Sequence, residues 1–232
     1  LLQHFARTLT ETFGPSREAV EAGPPSVDFL SYALDPLGLS RILWPQAVLA
    51  GYQEDIVRSV WDNDETIVVA GNMLGKDYIA GMIAVLFFLT RTPCRIITTS
   101  ADYSQLESVL WGEIGRFISD SAVPLESSGG GPLLVNHLHV RKLKPDGSPC
   151  RLSYLKGRVA AKGEGMLGHH VARERDGIPR TLWMADECSG VDDKSYDRSE
   201  TWAHRKLGIG NPYDCANFFR RGVEGGDLVA TK

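Results

Sequence analysis

Residues Thr66–Met82 read TIVVAGNMLGKDYIAGM. The β-branched opening, Thr66 to Val69, has the composition of a short buried strand. A glycine-bearing turn ending in Gly75-Lys76 follows, and then an apolar helix. Gly71 and Gly75 permit backbone conformations that aim several N–H groups at one anion. The start of the helix adds partial positive charge at the same place. Lys76 could then reach the outer phosphates of a nucleotide. Two positions depart from the usual pattern. Ala70 stands where Gly commonly opens such a turn, and Asp77 stands where Ser or Thr commonly follows the lysine. Taken alone, a Gly-Lys at a turn is ordinary.

Outward from this stretch the chain alternates apolar strands with helices. On the amino-terminal side, residues 1–45 carry helix-breaking prolines and glycines and read as an irregular lead. Residues 47–61, AVLAGYQEDIVRSVW, place Leu49, Tyr52, Ile56 and Val60 at helical spacing. On the carboxyl side, CRIITTS (94–100) reads as a strand and DYSQLESVLWGEIGRFI (102–118) as one amphipathic helix with Leu106, Leu110, Ile114 and Phe117 near one face. LLVNHLHVRKL and CRLSYL flank KPDGSP, whose turn chemistry predicts a hairpin. GRVAAKGEGMLGHH is glycine-rich and irregular, TLWMADE is a buried strand ending in two acids, and KLGIGNP is a final strand. The pattern predicts an α/β fold with a mostly parallel sheet flanked by helices. Ligands in such folds sit at the carboxyl ends of the strands.

Three polar clusters fall at predicted strand ends: the Gly-Lys turn, Asp186-Glu187 and Asn211. An aspartate emerging from a buried strand can hold Mg²⁺, usually through its waters. A neighbouring glutamate can orient and deprotonate an attacking water. Asn211 could bond a γ-phosphate or that water, although Asn-Pro is also plain turn chemistry. Upstream, Gln53 carries the donor and acceptor an adenine edge needs, and Tyr52 offers a stacking face. Each of these has an ordinary structural explanation, and their order along the chain is more informative than any one of them.

Bulk composition narrows the classes. The chain has 232 residues, 43% hydrophobic, with a formal net charge of −4. That is enough for a sizeable core, and any nucleic-acid contact must be local or shared among subunits. Cys94, Cys150, Cys188 and Cys215 are widely separated with no C-x-x-C pair, which disfavours a zinc ribbon or a disulfide framework. A metal site built on His169, His170 and scattered cysteines is disfavoured because adjacent histidines point different ways. The apolar run Ile79 to Leu89 is too short to span a bilayer.

With YQEDIVRSV, AGNMLGKD, IITTSADYSQLESVLWGEI, GEGMLGHH, LWMADECSG and GIGNPYDCANFF in that order, the chain resembles the ATPase domain of the large terminase subunit of tailed bacteriophages, from about Trp44 to Phe219. The resemblance implies a RecA-like P-loop ATPase of the additional-strand, catalytic-glutamate class over residues 46–232. It implies an oligomeric motor that hydrolyses ATP with Mg²⁺ to drive double-stranded DNA into a capsid. Expected partners are double-stranded DNA, a portal protein, a small terminase subunit and further copies of the chain in a ring, taken as a pentamer. The expected location is the host cytoplasm, at the portal vertex during packaging.

Carried over by position, Tyr52 and Gln53 match the adenine-reading motif. Ala70, Gly71, Asn72, Met73, Leu74, Gly75, Lys76 and Asp77, with Tyr78 beside them, match Walker A and the nucleotide site. Asp186 and Glu187 match Walker B and the catalytic glutamate, so Asp77 and Asp186 are the expected metal ligands. Gly210, Asn211 and Pro212 match the coupling motif, and Ser100 and Gln105 fall in a family segment after the second strand. Lys76, Asp186, Glu187 and Asn211 are the expected catalytic set.

The loop interior lacks the arginine many members carry, so a transition-state cation must come from elsewhere. Arg158, Arg173, Arg175 and Arg198 are candidates. The family's nuclease domain has no counterpart among these residues, so nuclease activity is not expected. The competing readings are another P-loop DNA translocase or helicase, and a degenerate nucleotide-binding scaffold marked by Asp77.

Overall fold

The computed structural model describes residues 27–71, 73–159, 167–211 and 213–225. Asn72 and Pro212, both expected site positions, and the first half of the GEGMLGHH segment lie outside the described residues.

The first helix, α1 (Pro36–Leu43), lies inside the stretch expected to be irregular. Its proline is compatible with a helix because it occupies the first turn, where the N–H would have no partner. Asp35 caps the helix, its carboxylate accepting from Gly38 N at 2.8 Å. Leu39 and Leu43 are fully buried, and Trp44 Nε1 donates to Phe117 O at 2.8 Å, so this segment is core.

Helix α2 (Gly51–Asp62) leads into β1 (Glu65–Val69), and α3 (Lys76–Leu89) follows the Gly-Lys turn. Helix α2 starts four residues later than the periodicity suggests, and its buried face is Gln53, Val57, Val60 and Trp61. Every residue of α3 from Ile79 to Leu89 is buried, as its all-round apolar composition requires.

Strand β2 (Arg95–Ser100) is followed by a helical segment that is not one continuous α-helix. A single turn, Tyr103–Gln105, widens into a π-helical stretch, Leu106–Leu110, before α4 (Trp111–Ser119). The expected apolar face survives, since Leu106, Leu110, Ile114 and Phe117 are all buried. Helices α3 and α4 approach closely at Gly81, where a Cβ would lie 2.7 Å from Glu113 Cβ.

The run read as one arm of a hairpin is itself a hairpin. Strands β3 (Leu133–Asn136) and β4 (His139–Leu143) pair antiparallel across His137-Leu138, and β4 then pairs antiparallel with β5 (Pro149–Val159). Neither turn residue is a usual turn former. Leu138 takes a left-handed conformation (φ 46°) while its carbonyl accepts from Gly157 N at 3.0 Å.

Strand β6 (Thr181–Asp186), α5 (Asp193–Glu200), β7 (Arg205–Gly210) and α6 (Phe218–Gly225) complete the order. The seven strands run β1-β7-β6-β2-β5-β4-β3, with β1, β7, β6, β2 and β5 parallel. An additional strand, β7, thus separates the strand that feeds the Gly-Lys turn from the strand that ends in Asp186. One face of the sheet is buried under α1–α4. The other carries a smaller cluster in which Tyr196 of α5 and Phe218 and Phe219 of α6 pack with Ile97 and Trp183.

Candidate active site

Parallel register brings the predicted polar strand ends to one edge. Val69 pairs with Gly210, and Ser100 pairs with Asp186. The backbone of Ala70 continues the first pairing, donating to Gly210 O at 3.1 Å. The loop between β1 and α3 then turns sharply. Met73 (φ 65°) and Gly75 (φ 67°) are both left-handed, on either side of Leu74. Such alternation makes a concave run of backbone N–H groups suited to an anion. Gly75 supplies the left-handed φ, and a Cβ there would also press on Gln53 Nε2, falling 2.9 Å from it.

Helix α2 holds this loop from behind. Tyr52 Oη donates to Leu74 O at 2.6 Å. Gln53 is buried, with its amide oxygen accepting from Ala50 N at 3.0 Å and its amide nitrogen against Gly75. The residue expected to read adenine therefore uses its acceptor on the chain itself.

Lys76, at the first turn of α3, is only 6% exposed, and its Nζ lies 2.9 Å from Glu187 Oε1. Burial pulls the ammonium pKa down, but the carboxylates of Glu187, Asp77 and Asp186 together more than offset this, and the net shift is upward. Among the described residues, no other Lys or Arg makes an ion pair with Glu187.

Glu187 follows β6 in the left-handed region (φ 49°, ψ 51°), a conformation that costs a non-glycine residue roughly 1–2 kcal/mol. Its N–H donates to Asp186 Oδ1 at 2.9 Å, and Asn211 Nδ2 donates to its two carboxylate oxygens at 3.4 and 3.2 Å. Strain of this kind persists where surrounding contacts over-determine it, commonly at working sites.

Asp186 ends a strand buried along its whole length. Burial first, and then the carboxylates of Asp77 and Glu187, raise its pKa to about 7. Asp77 is raised for the same first reason, with Glu187 adding to it and Lys76 opposing. A buried and a half-buried carboxyl that resist ionising together form a donor set for a hard divalent cation. Among the described residues no cluster of three or more His, Cys, Asp or Glu is placed to hold a metal alone. A cation at Asp77 and Asp186 would thus need phosphate and water oxygens to complete its shell.

Ser100 is buried beside Asp186, and its hydroxyl has no partner among the described residues. Gln105 is exposed on the following turn. Of the four arginines considered as transition-state cations, Arg158 is exposed on β5, and Arg173 lines a cleft with Asp62, Asp64 and Arg205 at the opposite, amino-terminal edge of the sheet. Arg175 is exposed and Arg198 lies half-buried on α5. Missing from the sequence reading were the ties that shape the loop, Tyr52 to Leu74 and Gln53 to Gly75. Tyr52 sits 22 residues from its partner, and no local pattern announces such a contact.

The seven-stranded sheet, the glycine turn before α3 and the inserted strand β7 define a P-loop fold. The chain is similar to two solved structures of the large terminase ATPase domain of Thermus phage P74-26. For a single-residue variant of that domain the TM-score is 0.60, with 16% identity over 90% of this chain and 78% of the other. For the unmutated domain the TM-score is 0.57, with the same identity and coverage. No family model matches the chain, and no curated protein matches it. Among the described residues no helix is long and apolar enough to cross a membrane.

Proposed function

We propose that the chain is the ATP-hydrolysing motor domain of a viral DNA-packaging terminase. The observation that carries this reading is the meeting of Lys76, Glu187 and Asn211 at the carboxyl edge of β1, β6 and β7, within 3.4 Å of one another through Glu187. Simple nucleotide binding does not require a glutamate held in a strained conformation by an asparagine.

The residues divide the work. The Gly71–Gly75 backbone and the amino end of α3 receive the phosphates, and Lys76 neutralises their outer oxygens. Asp77 and Asp186 would hold Mg²⁺, whose chemistry is to neutralise charge developing on the phosphate oxygens. Lys76 cannot serve a triphosphate and keep its full contact with Glu187. Arrival of the nucleotide therefore frees the Glu187 carboxylate, which Asn211 still orients, to accept a proton from the attacking water. Asn211 lies just beyond β7, between the two halves of the site, so its bond to Glu187 would report the loss of the γ-phosphate to that strand. Because the described site contains no arginine, the transition-state cation would come from a neighbouring copy, and such a residue is worth roughly 10³–10⁵-fold in related chemistry.

In this reading the motor acts on double-stranded DNA with a portal protein and a small terminase subunit, as a ring at the portal vertex in the host cytoplasm. A second reading, a nucleotide-binding scaffold, is favoured by one feature. Asp77 adds a carboxylate where the triphosphate would sit. Phosphate release from Mg²⁺–ATP, measured against protein concentration with and without duplex DNA, separates the two. A motor gives a rate per molecule that rises with concentration. A scaffold binds ATP and releases no phosphate at any concentration.

A further inference from the structure

Strands β2 to β5 contain Arg95, Arg141, Lys142, Arg151, Lys156 and Arg158 but no Asp or Glu, in a chain whose net charge is −4. Register sorts these cations by face. Arg95 and Arg141 both pair with Tyr154, His139 pairs with Lys156, and Thr99 pairs with Arg158. Paired residues point the same way and alternate along a strand. Arg95, Arg141, Lys156 and Arg158 therefore share one face. Val140 and Leu155 point to the other, into the core beneath α3 and α4.

On the cationic face, the helices of the smaller cluster pack on Ile97 and Trp183. Among the described residues, the loop at Gly168–His170 meets this face at Arg95 and Tyr154. Arg158 stays exposed, and Arg141 and Lys156 are half-buried.

None of these four cations has an acidic partner among the described residues. Arg95 donates to the carbonyls of Leu152, Gly168 and His170, Arg141 donates to His139 Nε2, and Lys156 lies 4.5 Å from the Tyr154 ring. The crowding is felt by its neighbours. Burial and then Arg158, Arg141 and Arg95 push the Lys156 pKa down, while burial and then Lys156, Arg141 and Arg158 take His139 to about 4. Like charges held together on a sheet, with no counter-charge among the described residues, call for a polyanion.

We infer that this face, centred on Arg141, Lys156 and Arg158, is a track for the phosphodiester backbone of double-stranded nucleic acid. Its mechanical meaning rests on the motor reading above, since Arg158 lies at the same carboxyl edge as Asp186, one strand beyond β2. The chemistry favours a duplex over a single strand. Single-strand grooves present aromatic rings for bases to stack on, whereas Tyr154 is half-buried with its hydroxyl 2.6 Å from His169 Nδ1. With charge and no base-reading platform, the binding is independent of sequence and sensitive to salt.

The test is fluorescence anisotropy of a labelled mixed-sequence duplex with the full chain, without nucleotide, across a salt series. Arg158→Ala weakens binding alike on unrelated sequences and flattens the salt slope by roughly 0.9 for each phosphate the variant no longer neutralises. The triple variant Arg141→Ala, Lys156→Ala, Arg158→Ala loses duplex binding, whereas Arg220→Ala, which removes a cation paired with Glu224 on α6, leaves it unchanged. Wild-type duplex affinity in the triple variant would overturn the inference. So would competition by polyglutamate as strong as by unlabelled duplex, which would mark an acidic protein as the partner. If the triple variant fails a thermal-melt check of folding, Arg158→Gln alone decides, and undiminished affinity there overturns the inference. Duplex binding is read without turnover, so a wild-type chain that binds DNA but hydrolyses no ATP refutes the motor reading and leaves this one standing.

Discussion

Lys76 Nζ and Glu187 Oε1 stand 2.9 Å apart, tying the first turn of α3 to the residue that follows β6. The pair is more than a local contact, because the Lys76 ammonium is also acted on by the carboxyls of Asp77 and Asp186. Lys76→Ala is expected to abolish nucleotide binding in a fluorescent-ATP titration. It should also lower the melting temperature of the ligand-free protein, since the carboxyls lose their counter-charge. Unchanged ATP binding would show that the phosphates sit elsewhere.

Asp77 replaces a hydroxyl and stands where negative phosphate oxygens are expected. A carboxylate about 4 Å from another charge costs about 1–4 kcal/mol between water-like and surface-like dielectric. Asp77→Ser is therefore predicted to tighten Mg²⁺–ATP binding by about tenfold or more. Asp77→Ala should instead demand more Mg²⁺ for half-maximal turnover, because one of the two metal donors is gone. Isothermal titration at fixed and varied Mg²⁺ measures both. Weaker ATP binding by the serine variant would make Asp77 an indispensable ligand.

Asn211 donates to both oxygens of Glu187. A hydrogen bond to a charged group contributes about 1.5–3 kcal/mol. Asn211→Ala is expected to lower kcat roughly tenfold or more with little change in ATP affinity. A large loss of affinity with kcat intact would place Asn211 on the nucleotide instead.

The pH response follows from Asp186, whose pKa is raised by burial and by its acidic neighbours to about 7 from 3.8. A carboxyl raised in the folded state holds its proton more tightly there than in the unfolded chain. Its contribution to stability is complete below the unfolded value and is lost as pH climbs through about 7. The ligand-free melting temperature should fall across that window, and Asp186→Asn should flatten the fall. A melting temperature that rises over the same window contradicts this.

The fold order was legible because burial and chemistry coincide at a few places. TLWMAD is buried throughout and can only deliver Asp186 at its end. Thr66 to Val69 followed by Gly-Lys can only be a strand feeding a turn and a helix. The class of sheet, the common edge and the set Lys76, Asp186, Glu187 and Asn211 follow from this. What escaped depended on groups distant in sequence. His137 and Leu138 make a turn without turn residues because the Gly157 N–H holds Leu138 in place. The proline and glycine of α1 have the composition of helix breakers, yet Asp35 caps the helix that holds them. Gln53 faces inward because Gly75 leaves room for it. The cationic face is assembled from three strands whose register no single segment encodes.

The reassignment of α1 to the core has its own consequence. Leu43 is fully buried among the residues beneath the sheet. Leu43→Ala is predicted to cost about 2–5 kcal/mol in urea unfolding, the usual loss for a buried leucine. A change near zero would mean that the segment is a detachable arm.

The central claim, that this edge hydrolyses ATP through Glu187, is tested most directly by Glu187→Gln. The variant keeps the shape and one oxygen for Asn211 but cannot accept a proton. ATP affinity and Mg²⁺-dependent phosphate release are measured on both proteins at the same concentration. Retained binding with release reduced about 10²–10⁴-fold is the predicted result. Equal phosphate release by the two proteins would contradict it.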